Sequence, residues 1–518
     1  MIYGKWAYKL ALATFLAGCA WAPAGSADAP SYWPTSGWKS SAPEAQGMNS
    51  ARLTEAVRFA RESNIHLHSL LVVRHGYVVL DAYFYPFQRG QLHDVASVTK
   101  SFTSTLVGMA VAQHKIADLD RTALGFFPEK TAANLSQAKE AITLRTMLTM
   151  RAGLVCVNQP TEKTLLEMQA SKDWIQFVID RPMASTPGTT FTYDSTVSHL
   201  LSVILHRATG EKEEAFATSQ LFGPLGITEY IWPCDPTGTD NHGWGDLHIT
   251  PDSMAKLGLL YLNDGVWDGK RLLPEGWAAA ATTAQATFQD DATHTGYGYQ
   301  WWVTDKGYQA LGRGGQHIDV YRTKDLVVVM TSGGLGPRPY QVLSERILSA
   351  VESDAPLPNN DSGVASLESA VRAASAEPQV QKTDPKRPPR IARRASGKVY
   401  AMAPNPLGIT KVMSEFTKGG DASVTITSST FLPGAEHKIA IPTGMDNVAR
   451  ISPGRYGLPA AAKGAWDNAN ALVVDYDEIG NINRWRIRLE FSSKDLTLSM
   501  REITGLGSFE IKGTQAKS

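Results

Sequence analysis

The chain has 518 residues, more than one ordinary hydrophobic core accommodates, and its 50 Lys plus Arg are matched by 50 Asp plus Glu. Zero net charge gives no electrostatic footing for nucleic acid, and no Cys/His cluster has the spacing of a zinc site. Two domains are expected, with no metal or other cofactor and no nucleic-acid partner.

Lys5 and Lys9 precede the apolar run Leu10 to Gly18, which is too short to span a bilayer. Residues 1–29 therefore read as an export signal running into a loose lead-in. Leu16-Ala17-Gly18-Cys19 has the form of a lipobox, in which Cys19 is lipidated and becomes a membrane-anchored N-terminus. Ordinary cleavage after Ala27 or Ala29 is the alternative. Both readings place the mature chain in the periplasm or on the outer membrane. The remaining cysteines, Cys156 and Cys234, lie in loop-like sequence, where an oxidising compartment permits a disulfide and two free thiols are the alternative.

Asn49 to Ser63 carries Leu53, Ala56, Val57 and Phe59 at helical spacing. Two β-branched runs divided by Arg74-His75-Gly76 predict a hairpin. From Ser97 onward Phe102, Leu106, Met109 and Ala110 recur at helical spacing, and residues to about 230 are mostly helical, including SHLLSVILHRATG closed by Gly210. Strands return after 296 as GYGYQWWV, GYQALGR, GQHIDVYR and DLVVVMTS, and a helix follows from about Pro339 to Val351. Strands at both ends with helices between them predict an α+β domain over 30–352, one antiparallel sheet with an inserted helical subdomain and a cleft at their seam. The Pro-, Ala- and charge-rich residues 353–394 read as a linker, and 395–518 alternate apolar and polar residues as a small all-β domain without catalytic residues of its own. Few contacts are expected to cross that linker.

Ser97-Val98-Thr99-Lys100 opens the first inserted helix. Residues three apart share a helix face, so Lys100 stands beside the Ser97 hydroxyl, and a partly desolvated lysine can take its proton. Ser36/Lys39, Ser136/Lys139 and Ser253/Lys256 repeat the spacing, but none opens an apolar helix after a hairpin. A second proton carrier must serve the leaving group, and Tyr193, in a Pro187-Gly188 loop that runs through Ser195 into the next helix, is the candidate. The alternative match at Tyr261 sits on a helix, where a tyrosine belongs to the core. Donors for a developing oxyanion are sought in Gly312-Arg313-Gly314-Gly315-Gln316, which taken alone also reads as a hairpin turn.

Ser97-x-x-Lys100, Tyr193-x-Ser195 and Arg313-Gly314-Gly315, in that order about one hundred residues apart, resemble the serine β-lactamase and penicillin-binding-protein superfamily in its class C-like branch. ITLRTMLTMRAGL, TPGTTFTYDS and GRGGQHIDVYRTKDLVVVMTS are most similar to 6-aminohexanoate-dimer hydrolase-like and carboxylesterase-like members, over residues 40 to 350. The resemblance implies an acyl-enzyme serine hydrolase with Ser97 as nucleophile, Lys100 and Tyr193 as proton carriers, and the N–H groups of Ser97 and Gln316 as the oxyanion hole. It also implies substrate contacts from Ser195, Arg313, Gly314 and Gly315. Relatives of the β-lactamase type carry Asn at Ser195 and Lys-Thr-Gly at Arg313-Gly314-Gly315, so esters or small amides are the expected substrates. β-Lactam or D-amino-acid peptide hydrolysis, or penicillin sensing without turnover, are the alternatives.

Overall fold

The predicted hairpin forms as Leu67–Arg74 and Tyr77–Tyr83, and the first strand then pairs antiparallel with Leu326–Ser332 from the far end of the domain. A computed structural model describes residues 32–63, 65–158, 161–289, 291, 293–384, 388–417, 420–429, 437–505 and 507–516. The apolar run Leu10 to Gly18 and Cys19 lie outside the described residues. Beyond Leu326–Ser332 the sheet continues through Gln316–Tyr321 and Tyr308–Gly312 to three two-residue strands, eight strands in all.

The two central strands read LHSLLVVR and LVVVMTS because both faces are covered, and their alternation divides two cores. Leu70, Val72, Val328 and Met330 face the helices Ser50–Glu62 and Pro337–Ala350. Leu71, Val73, Val327 and Val329 face the helical side, where Phe102, Leu106 and Leu259 pack. Local signals fix the helix ends. Asn49 accepts from the N–H groups of Ala51 and Arg52, Thr143 forms a capping box with Thr146, and Gly210 ends Ser195–Thr209 at φ +78°.

Two expectations fail after residue 352. The stretch 353–394 is more than a linker, since Asp361–Ser375 is a helix capped by Asn360 whose Leu367, Ala370 and Ala374 are buried on the first domain. Their spacing of three and four is a helix stripe, obscured in sequence by the surrounding Ala, Ser and Glu. Arg390–Ala395 is also helical and buries Ala392 and Ala395.

The C-terminal domain is a ten-stranded antiparallel sheet from Val399 to Gln515 that curls into a near-barrel, with Gly444 bridging Lys463 where its ends meet. Contacts to the first domain are numerous. Ile479 packs with Tyr83 and Phe87, Asn481 meets His248, and Arg313 reaches Asn483 and Thr504. The loops between strands of the β domain carry these contacts, which strand periodicity does not report.

Candidate active site

Ser97 lies in the turn Ala96–Val98 that leads into the helix Thr99–Ala112. Ala96 is held at φ +45°, an uncommon conformation for a residue with a Cβ, because its N–H donates to Asp94 Oδ1 at 2.7 Å and its carbonyl accepts from the Thr99 hydroxyl at 2.6 Å. The bend presents Ser97 to Lys100, whose Nζ lies 2.9 Å from Ser97 Oγ and 2.7 Å from the Trp244 carbonyl. Lys100 is 1% exposed, and burial lowers its pKa to about 8 against weaker upward pulls from Glu162, Asp246 and Asp194. No carboxylate lies within ion-pair distance of Lys100 among the described residues. The other Ser-x-x-Lys copies do different work: Lys139 Nζ donates to the Ala133 and Ile179 carbonyls, Lys256 Nζ to the Gly226 carbonyl, and Lys39 is exposed.

Tyr193 reaches the same place from the loop before Ser195–Thr209. Lys100 Nζ lies 4.9 Å from its ring centroid, and burial raises its pKa well above the usual phenol value against a weaker downward pull from the Ser97 hydroxyl. Asp194 caps the helix through the N–H groups of Thr196 and Val197 and forms a buried ion pair with Arg181 at 2.9 Å, and the Thr192 N–H donates to the Met150 carbonyl at 2.8 Å, so the loop is tied on both sides of Tyr193. Ser195 is buried at the helix start, with no partner for its hydroxyl among the described residues. Trp302 stacks on Tyr193 at 5.8 Å, and Phe191, Phe288 and Tyr297 continue a half-buried aromatic wall.

On the sheet side, Tyr308–Gly312 brings its end against Ser97's turn. A Cβ built on Gly312 would lie 2.4 Å from the Val95 carbonyl and 3.1 Å from Ala96 Cβ, so only glycine permits this approach. Of the strand Tyr308–Gly312, Tyr308 and Gln309 pair with Trp302–Val303 among the described residues, which leaves the far end of the strand to face Ser97's turn.

A model of the beta-lactamase family matches residues 57–352, more than half of the chain, and stops short of the C-terminal domain. The chain belongs to the beta-lactamase family. It is 26% identical over 174 residues to a beta-lactamase of Escherichia coli (strain K12), which is 33% of this chain and 44% of that protein. The chain thus spans under half the length of this relative. A second relative, a protein of unassigned function from Alkalihalophilus pseudofirmus, is 25% identical over 288 residues, 49% of this chain and 77% of that one. Among solved structures, a protein described as a 6-aminohexanoate-dimer hydrolase from Bacillus anthracis superposes with a TM-score of 0.52 at 19% identity, covering 64% of this chain and 90% of that one. That likeness is one of fold.

Within this beta-lactamase-family site several expected residues are elsewhere. Arg313-Gly314-Gly315 is the turn between two strands, not a strand edge facing Ser97. The Gly315 N–H closes it on the Gly312 carbonyl, and Gly314 and Gly315 take φ +83° and +93°, conformations that turn geometry demands of glycine. The Arg313 guanidinium points into the C-terminal domain, with Nη2 2.8 Å from Asn483 Oδ1, so it is not a substrate cation. Gln316 is fully buried inside the sheet, its side-chain amide donating to the Arg313 and Ser332 carbonyls and accepting from the Ser332 N–H. The Gly312 backbone is what packs on Val95 and Ala96, the two residues before Ser97. Cys156 and Cys234 are free thiols rather than a disulfide: Cys156 Sγ lies 3.8 Å from the Tyr193 carbonyl, and Cys234 Sγ accepts from Asn241 Nδ2 at 3.4 Å. Sequence reasoning missed the roles of Trp244, Asp94 and Trp302, and took Gly312 only as part of the glycine-rich donor stretch. Trp244 acts through its carbonyl, which no residue-type pattern can reveal.

Proposed function

We propose that the chain is an exported serine hydrolase that forms an acyl-enzyme from ester or small amide substrates. The observation that carries this reading is the 2.9 Å contact between Ser97 Oγ and the buried Lys100 Nζ, whose pKa is lowered to about 8. At neutral pH and above a useful fraction of Lys100 is uncharged, and its lone pair can take the Ser97 proton as the hydroxyl attacks a carbonyl. Tyr193, with its pKa raised, keeps its proton and is suited to pass one to the leaving group when the tetrahedral intermediate collapses. Water then releases the acyl group.

The N–H of Ser97 supports an oxyanion from one side, and the free end of Tyr308–Gly312 supplies a second donor from the other. Adjacent N–H groups of a strand point to opposite edges, and the turn bond from Gly315 to Gly312 directs the Gly312 N–H toward Gln316 and that of Arg313 outward. The aromatic wall beside Tyr193 suits an apolar acyl group. Arg313 is held by Asn483 and Thr504 rather than offered to a β-lactam carboxylate, which favours esters over β-lactams. Export rests on the sequence of residues 1–29, with Cys19 as the proposed site of lipidation.

A fluorophosphonate probe followed by peptide mapping tests the assignment. One label per chain on Ser97, lost with activity in Ser97→Ala, is expected. Labelling of Ser136 or Ser253, or an active Ser97→Ala variant, refutes it.

A further inference from the structure

Arg313 directly follows Gly312, the residue packed on Val95 and Ala96, so whatever holds Arg313 also holds the strand end beside Ser97. Its holders come from the C-terminal domain. Nη2 donates to Asn483 Oδ1 at 2.8 Å and Nη1 to Thr504 Oγ1 at 2.5 Å. These acceptors are themselves fixed, since the Thr504 hydroxyl donates to Glu502 Oε1 at 2.6 Å and that oxygen accepts from the Arg484 N–H at 3.0 Å.

Ile482, beside them, is fully buried at φ +70° and ψ −43°, the centre of a strained γ-turn closed by the Asn483 N–H on the Asn481 carbonyl at 2.8 Å, a conformation that a β-branched side chain resists. It is pressed onto the catalytic domain, for a Cβ built on Gly314 would lie 2.4 Å from Ile482 Cγ2. On its other side Asn481 Oδ1 lies 2.9 Å from His248 Nε2. His248 pairs as a strand residue with Asp94, whose carboxylate holds the Ala96 N–H. A single segment of the β domain thus grips both turns that set Ser97, the Arg313–Gly315 turn directly and the Asp94–Ala96 turn through His248. Simple docking needs no strained residue at this point, as the unstrained packing of Ile479 on Tyr83 and Phe87 shows. Backbone strain is retained where the surroundings over-determine it, and it gathers at functional sites.

We propose that Ile479–Arg484 with Thr504 is a positioning element of the active site, in which Asn483 locks Arg313 and thereby the Gly312 strand end against the nucleophile's turn. The position of the Lys-Thr-Gly cation in β-lactamase-type relatives is here given to a latch between domains. The proposal rests on Ser97 being the nucleophile. A lock of this kind leaves substrate contacts in place and acts on the alignment of Ser97 with the oxyanion donors, so its loss lowers kcat more than it raises KM.

The test uses the full chain and a chromogenic short-chain ester. Asn483→Leu removes the acceptor at similar volume, and kcat is expected to fall by about tenfold to a hundredfold with KM little changed, as a displacement of order 1 Å does elsewhere. Asn483→Asp restores an acceptor and recovers most of the loss. If Asn483→Leu fails to melt cooperatively, Arg313→Lys is the second variant, because a single ammonium cannot span Asn483 and Thr504 together; the same fall in kcat is expected. A folded Asn483→Leu or Arg313→Lys with parental kcat overturns the lock, and so does an Asn483→Asp variant as impaired as Asn483→Leu. Fluorophosphonate labelling run in parallel separates the two levels. A parent chain that never labels at Ser97 overturns the assignment on which the lock rests, whereas full labelling with unaltered kcat in the variants overturns the lock alone.

Discussion

Lys100→Met isolates the cost of the buried lysine. Burial lowers its pKa from 10.5 to about 8, a difference of roughly 2.5 units. At 1.36 kcal/mol per unit the folded state gives up about 3 kcal/mol to keep this ammonium wherever both states are protonated. The sign follows from proton counting. Between about 8 and 10.5 the unfolded chain holds a proton that the folded chain has released, so stability rises with pH across that window. Below it the penalty is fully present, and above it the penalty vanishes. Methionine has similar length and no charge, although it leaves the Trp244 carbonyl without its donor, a loss of about 1 kcal/mol. The variant should therefore be about 2 kcal/mol more stable than the parent at pH 7, an advantage that shrinks and reverses toward pH 10.5. Denaturant unfolding of both proteins at several pH values measures this difference, and other titrating groups cancel in it. The parent's kcat/KM should rise through about pH 8 and level off, while the variant stays inactive. A stability difference independent of pH, or growing as pH rises, refutes the reasoning.

Ser97→Ala should reduce ester hydrolysis on the order of a million-fold, measured by residual turnover after active-site titration. Tyr193→Phe should lower kcat by roughly a hundredfold or more while the melt stays cooperative, and a normal kcat would make Tyr193 a structural residue. Esters should be turned over faster than a cephalosporin, because Gly314 has no hydroxyl and the Arg313 guanidinium is held by Asn483 and Thr504. The reverse order of rates would contradict this reading of Arg313.

Much of the hydrolase fold was legible because its signals are local or periodic. The β-branched hairpin, the helical spacing from Asn49 to Ser63 and the Gly210 stop each act within a few residues. Ser97 and Lys100 were legible for the same reason, since helix geometry fixes residues three apart. Tyr193 needed the family's order of motifs, because nothing nearby in sequence links it to Ser97. The reading went wrong where glycines served the turn rather than the strand. Gly314 and Gly315 are needed for positive φ, whereas Gly312, which stands against Val95, looks no different in sequence. Arg313 was misread because its partners lie 170 and 191 residues away in another domain. The helix Asp361–Ser375 was lost to composition, since its stripe is built mostly of alanine.

The polar groups around Ser97 divide according to whether they meet a full partner. Arg181 is paired with Asp194 and Arg313 with Asn483 and Thr504, and each of these fixes a segment of backbone. Lys100 and Tyr193 meet only neutral oxygens and each other's neighbourhood. The difference decides what each group can do. A carboxylate against Lys100 would raise its pKa and hold it as a permanent cation, useless as a base at neutral pH. Glu162, Asp246 and Asp194, in that order, pull the Lys100 pKa upward without pairing with it, and Asp194 is the one beside Tyr193. Its carboxylate is instead committed to Arg181 and to the first N–H groups of the helix Ser195–Thr209. The ion pair that ties down the tyrosine loop thus also leaves the lysine free to lose its proton, so anchoring and reactivity in this site depend on the same side chain.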